Sequence, residues 1–392
     1  MRSAERLEGL AISGSARLGE HPVRVPLLLD AGNDAGSPRL VDEGTASPGR
    51  RRLRIDLESG SIRLERTIPA PEIAGSAPSE EIAPGVWAVH LPADEAEWTR
   101  LTGARPQLLE LSNARALFAL GEPFVAAVGE IRRRLGAAPL LWAPRVALPH
   151  RLALLVYLGI DIHDTTEGRW RVAEGAELDG TLGERTRMEG RGTAPVPVEP
   201  LLTEYRSEME RVVRSLAEGR LRELVELRLG SEPALAELLR YADRQLGGLL
   251  EERAPVTGGP TARYVYRESM RRPEARRYRE RFLSRYRAPP SKSVLLLVPC
   301  SQTKPYRYSR SHRRYARALE GLAWAHRVHV VSVTSPLGLV PQELEDLPPA
   351  RHYDIPVTGE WDEAERSSVV EALAHLLSSG RYHHRLAHLD PE

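Results

Sequence analysis

The run Val294-Leu-Leu-Leu-Val-Pro-Cys300-Ser-Gln-Thr-Lys304-Pro-Tyr306-Arg-Tyr-Ser309-Arg-Ser-His312 decides how the carboxy-terminal third of this chain folds. Its five apolar residues, 294–298, suit a strand buried on both faces, the kind a parallel sheet prefers. The strand ends in a polar loop, and in open α/β sheets ligands bind beyond the carboxyl ends of the strands. A helix is predicted over about 312–325. Val328-His-Val-Val-Ser-Val reads as a second strand, 334–349 as a Pro- and Gly-rich loop, and 364–378 as a second helix. These elements make residues 261–392 a basic linker followed by a small α/β sandwich domain with a parallel sheet.

Outward from this domain, residues 253–260 form a Pro/Gly linker and a domain boundary. Residues 201–260 form a helical segment, with apolar positions recurring at three and four over 201–218, 220–229 and 232–251. Residues 84–165 alternate strand and helix, which points to an α/β sheet or barrel. Residues 7–29 suit a hairpin, 31–52 are polar and read as a loop, and 166–200 show little periodicity.

The 392 residues are 41% hydrophobic, which fits a globular protein of two or three domains and excludes wholesale disorder. No uncharged apolar run approaches the roughly 18–20 residues that cross a bilayer, and the amino terminus lacks a signal-peptide core. A cytoplasmic location with no membrane contact is expected. A single cysteine, Cys300, excludes an intramolecular disulfide and a Cys-rich zinc site. No metal and no cofactor are expected. The net charge of +1 conceals an asymmetry. Residues 263–317 hold seventeen Arg or Lys against three acids, a balance of +14, which leaves −13 for the remainder. Charge segregated in this way points to a polyanion docking on one region.

Cys300 near Lys304, several arginines and a helix start has the setting of a nucleophile with a depressed pKa. His312 is placed to act as a general acid or base, and Ser309 to hold a carboxylate or phosphate. The plainer alternatives are a buried apolar cysteine, a solvated basic face and a helix-capping histidine.

The spacing Pro299-Cys300, three residues, Lys304-Pro305-Tyr306, two residues, Ser309, two residues, His312 resembles the signature of the archaeosine synthase family. The stretches starting at Thr334-Ser-Pro-Leu-Gly and His352-Tyr-Asp-Ile-Pro also look familial. The front half is similar to archaeal tRNA-guanine transglycosylase. There Leu158-Gly-Ile-Asp-Ile-His-Asp164 looks like the barrel strand whose second acid is the transglycosylase nucleophile, and capping of a strand-end turn is the alternative for Asp164. The transglycosylase's Ser-Gly-Gly-Phe-Gln base pocket is absent, and the stretch is short for an eight-stranded barrel of about 250 residues. The resemblance therefore implies a degenerate transglycosylase-like (β/α) barrel over 1–200.

It also implies the reaction. Free L-lysine adds through its side-chain amine to the nitrile of preQ0 at position 15 of tRNA, and a radical-SAM partner then acts on the adduct. Cys300, Lys304 and His312 would be catalytic, and Pro299, Pro305, Tyr306, Ser309 and Asp164 would contact substrate. Arg263, Arg267, Arg271, Arg272, Arg276, Arg277, Arg307 and Arg310 would bind RNA, helped by interleaved aromatic rings. The family usually carries an RNA-binding PUA domain; the resemblance implies a short form of the alpha subunit, with that domain on a separate subunit or its part taken by another partner. The alternatives are a non-catalytic tRNA-binding subunit and a deazaguanine base-exchange transglycosylase.

Overall fold

The computed structural model describes residues 3–18, 20–31, 38–47, 50–58, 60–67, 78–179, 181–186, 197–254, 259–356 and 360–389. The chain divides into two compact units, 1–253 and 254–392.

In the first unit five short strands lie parallel in the order Leu27–Leu29, Ile162–Asp164, Leu140–Trp142, Leu108–Leu111, Val86–Val89, and Glu80–Ala83 adds antiparallel at the far edge. Both faces are apolar. Leu109, Leu111 and Leu141 share a core with Phe124, Val128 and Leu154 of the surrounding helices. Leu108, Leu140, Trp142 and Ile162 share another with Val25, Ile55 and Leu64 from antiparallel strands. The trimmed barrel expected here is thus an open mixed α/β sheet among the described residues. The face that a barrel would turn into its lumen is already buried by those antiparallel strands, so closing the ring would gain no further burial.

The loop expected over 31–52 holds two strands, Arg39–Ser47 and Arg50–Leu57, although residues 32–37 and 48–49 lie outside the described residues. Their polar composition reflects cross-strand charge pairs, Arg51 with Asp42 and Arg54 with Glu43 at 2.7 Å. The unpatterned stretch 166–200 likewise contains the helix Thr166–Ala173 and the hairpin Ala176–Asp179/Gly183–Thr186. The helices Val198–Glu218, Leu221–Arg228, Pro233–Gln245 and Gly247–Arg253 belong to the first unit, since Val212, Leu216, Leu239 and Leu250 sit in its core. Arg222 bridges Asp243 at 2.6 Å and Glu226 at 3.0 Å within them.

In the second unit the four-stranded sheet runs Gly338–Pro341, Val328–Thr334, Val294–Pro299, His384–Ala387. Val294–Pro299 is parallel to both neighbours, with Val294 opposite Val328 and Pro299 opposite Val333. Gly338–Pro341 returns antiparallel, so the sheet is mixed, and the stretch 334–349 is only partly loop. One face packs on the helices Pro273–Arg285 and Glu363–Ser379, through Phe282, Ala372 and Leu376 against Leu295, Val331 and Val333. Asp362 caps the second of these helices in a reciprocal box with Glu365. Among the described residues no helix is long and apolar enough to cross a membrane.

The buried ring of His163 gives a pH prediction for the first unit. Burial pushes its pKa down from 6.5 to about 4, against a smaller upward pull from Asp161. A group whose folded pKa is depressed stabilises the fold above the unfolded pKa, and that stability is lost as pH falls through the folded value. His163 should therefore cost the first unit on the order of 3 kcal/mol between pH 6.5 and about 4. Urea unfolding of His163→Leu should show a flatter acid limb than wild type; equal slopes would contradict the assignment.

Candidate active site

The buried strand Val294–Pro299 sets the position of everything in the second unit's polar cluster. Val298 is fully buried, and the Cys300 N–H donates to the Val333 carbonyl at 3.1 Å. The parallel pairing therefore runs one residue past the strand and sets Cys300 beside Thr334, whose hydroxyl hydrogen-bonds the thiol. Thr334 Oγ1 is 2.7 Å from the Tyr353 hydroxyl, which shares a further hydrogen bond with Tyr306. Tyr353 is held by the short parallel pair Ala262–Arg263/Tyr353–Asp354. The four groups form a continuous polar chain, Cys300–Thr334–Tyr353–Tyr306, inside a cluster that also includes Tyr264 and Tyr278. Lys304 closes it from above, with Nζ 4.2 Å from the centre of the Tyr353 ring.

The electrostatics run against the depressed thiol expected from the sequence. Burial pushes the Cys300 thiol up, outweighing the downward pulls of the Thr334 hydrogen bond and the Lys304 charge. Burial also pushes Lys304 down, opposed by Cys300 and Asp354. Both shifts favour the uncharged forms, because a half-buried site penalises whichever partner carries charge. Burial raises Tyr306 and Tyr353 well above the ordinary phenol value, so both hydroxyls keep their protons.

His312 and Ser309 take the plainer of their two roles. Ser309 is the N-cap of the helix Arg310–Leu319, its Oγ accepting from the His312 N–H at 3.1 Å. The His312 ring is buried and stacks on Tyr306 at 5.4 Å, and its Nε2 donates to the Pro299 carbonyl at 3.0 Å. Burial lowers its pKa, so the ring is neutral near pH 7. A nitrogen committed in this way ties the helix to the end of the strand. His312 thus positions the helix through Nε2, and the Ser309 hydroxyl is engaged as the helix cap. Pro305 is buried and Pro299 exposed.

A family model described as a domain of unknown function, DUF5591, matches residues 275–392, the region that contains this cluster. The chain is 31% identical to the archaeosine synthase of Haloferax volcanii over 97% of its length and 66% of that protein's. It is 34% identical to the archaeosine synthase subunit alpha of Methanosarcina acetivorans, over 68% of this chain and 46% of the relative. The subunit alpha of Thermococcus kodakarensis is 35% identical, over 68% and 44%. The chain belongs to the archaeosine synthase family. It spans less than two thirds of the length of these curated relatives.

Asp164, carried over from the transglycosylase side of the archaeosine synthase resemblance, lies in the first unit and is fully buried. One carboxylate oxygen accepts from Trp142 Nε1 at 3.0 Å and the Arg145 N–H at 3.2 Å, and the other from the Thr166 N–H at 3.0 Å. A carboxylate holding three donors caps the strand end. It is not presented to a substrate.

The arginines divide by burial. Arg272 is buried, donating to the Arg263 carbonyl at 2.8 Å and lying over the Tyr264 ring at 5.0 Å. Arg277 is buried and donates to the Ala254 carbonyl at 3.0 Å. These two support the fold and are withdrawn from any RNA surface. Arg276 is half-buried and pairs with Glu280 at 3.3 Å. Arg263, Arg267, Arg271 and Arg310 are exposed, and half-buried Arg307 pairs with Asp346 at 2.8 Å. Among the described residues no three His, Cys, Asp or Glu side chains converge closely enough to hold a metal ion.

Thr334 and Tyr353 were missed as site residues. The sequence signal for them was present, since each opens or nearly opens one of the two further familial stretches. Nothing local tells that strand pairing brings both to Cys300.

Cys300 is the only thiol in the chain, so alkylation reports it alone. The rate of reaction with iodoacetamide should inflect above the ordinary thiol range, and Lys304→Met should move the inflection higher still by removing a charge that favours thiolate. An inflection near neutrality, or no response to Lys304→Met, would refute this description of the pair.

Proposed function

We propose that this chain modifies tRNA in archaeosine biosynthesis, and that the Cys300 cluster joins the side-chain amine of free L-lysine to the nitrile of preQ0 at position 15. Membership of the family supports the pathway. The observation that carries the site is the placement of Cys300 and Lys304, whose partial burial favours their uncharged forms, beside the linked hydroxyls of Thr334, Tyr353 and Tyr306.

A nitrile is a weak electrophile. Addition to it requires a nucleophile and a proton for the nitrogen. In this reading Cys300 Sγ adds to the nitrile carbon while the thiol proton passes to the nitrile nitrogen through Lys304, giving a thioimidate. The lysine amine then attacks that carbon, the C–S bond breaks, and the departing sulfur recovers a proton from the attacking nitrogen. The product is an amidine and the thiol is restored, so atoms and charges balance. Thr334, Tyr353 and Tyr306 hold Cys300 and Lys304 in place. A radical-SAM partner would consume the adduct. Base exchange is disfavoured, because Asp164, its required nucleophile, already holds three donors.

The test is incubation of the purified chain with preQ0-containing tRNA and labelled lysine. Wild type should place label in the RNA, with Cys300→Ser at least 100-fold slower. Wild-type incorporation by Cys300→Ser would remove the covalent route, and no incorporation by any form would favour a non-catalytic tRNA-binding subunit.

A further inference from the structure

The helix Arg310–Leu319 begins inside the candidate site and carries four arginines that the polar cluster does not use. Its sequence, Arg310-Ser-His-Arg313-Arg314-Tyr-Ala-Arg317-Ala-Leu319, contains no acidic residue. Positions 310, 313, 314 and 317 follow the i, i+3, i+4, i+7 rule for one helical face. All four are exposed, while His312 is buried and Tyr315 and Leu319 are half-buried on the opposite side. Among the described residues none of the four forms an ion pair with any acid.

This arrangement opposes the helix's own stability. Arg310 and Arg313 stand in the first turn, where the macrodipole disfavours positive charge. The pairs 310/314 and 313/317 set like charges one turn apart. A helix that breaks both local rules with no compensating acid points to charge kept for a partner. The partner must be a regular polyanion, because the stripe repeats along about 10 Å of helix axis.

Two further observations favour RNA. Tyr308, just before the helix, is 54% exposed, with the Arg307 guanidinium 4.8 Å over its ring. An exposed ring beside a ladder of arginines is the pairing that single-stranded nucleic acid requires, one element for bases and one for phosphates. The helix is also fixed to the reacting group. Its cap is Ser309, and His312 ties its first turn to the Pro299 carbonyl, one residue from Cys300.

We infer that Arg310, Arg313, Arg314 and Arg317 form a phosphate ladder that docks the RNA strand and, with Tyr308 as a stacking platform at its head, delivers a nucleotide to Cys300. This deepens the tRNA-modification reading and rests on it for the identity of the polyanion.

The test is equilibrium binding of the full chain to an unmodified tRNA transcript between 50 and 300 mM KCl. The replacement is Arg310→Gln/Arg313→Gln/Arg314→Gln/Arg317→Gln, with Arg281→Gln/Arg285→Gln on the helix Pro273–Arg285 as the exposed control. The quadruple variant should bind at least tenfold more weakly at 100 mM, with a log–log salt slope shallower by about 0.7–0.9 for each phosphate that is no longer neutralised. The control should stay within twofold. Thermal stability of the quadruple variant should rise or hold, since repulsion is relieved, and its Cys300 alkylation rate should match wild type. The all-Lys replacement should keep most of the slope, and it serves as the folded comparator if the Gln variant does not fold. Unchanged affinity and slope in the quadruple variant, or a wild-type chain with no salt-dependent tRNA binding, would overturn the ladder; the second outcome would leave an acidic protein as the occupant. Lysine transfer is absent from this assay, so a failed adduct assay with an intact ladder effect, or the reverse, separates the two proposals.

Discussion

A strand buried on both faces can present chemistry only where it ends. Residues Val294 to Val298 lie inside the second unit's sheet, and the hydrogen bond from the Cys300 N–H to the Val333 carbonyl carries the parallel register one residue further. That register places Thr334 at the thiol, and Thr334 in turn fixes the Tyr353 hydroxyl, which meets Tyr306. A slip of one residue would send Cys300 to the opposite face of the sheet and break the chain of hydroxyls at its first link.

The cluster's electrostatics follow from the same burial. A half-buried thiol and a half-buried amine side by side avoid charge more than either attracts the other, so both lean toward neutrality. A resting thiol is spared indiscriminate oxidation. The helix that begins at Ser309 extends the arrangement outward. Its inner face holds the strand end through His312, and its outer face carries the arginines.

Much of this was legible in the sequence, and the remainder fails for identifiable reasons. The apolar run 294–298 and the polar loop after it placed Cys300 and Lys304 at a sheet edge, because burial on both faces leaves a plain compositional mark. The roles of His312 and Ser309 were less legible. The same side chains serve as caps and as catalysts, and only the partner atoms, the Pro299 carbonyl and the His312 N–H, distinguish the two. Arg272 and Arg277 looked like their exposed neighbours because a guanidinium that bonds to a backbone carbonyl inside the fold has no signature in composition. In the first unit the strands were recognisable one by one, but their closure into a ring was not. Closure depends on what covers each face, and here distant antiparallel strands cover it. Thr334 and Tyr353 depend on pairing across dozens of residues, which no local pattern encodes.

The most direct measurement of the central claim is protection of Cys300 from alkylation by substrate. With the full chain, preQ0-containing tRNA should slow modification of Cys300 severalfold, and adding free lysine should slow it further, while tRNA bearing guanine at position 15 should protect less. An alkylation rate indifferent to all three would contradict the account, because it would mean that RNA and lysine meet somewhere other than the end of the strand Val294–Pro299.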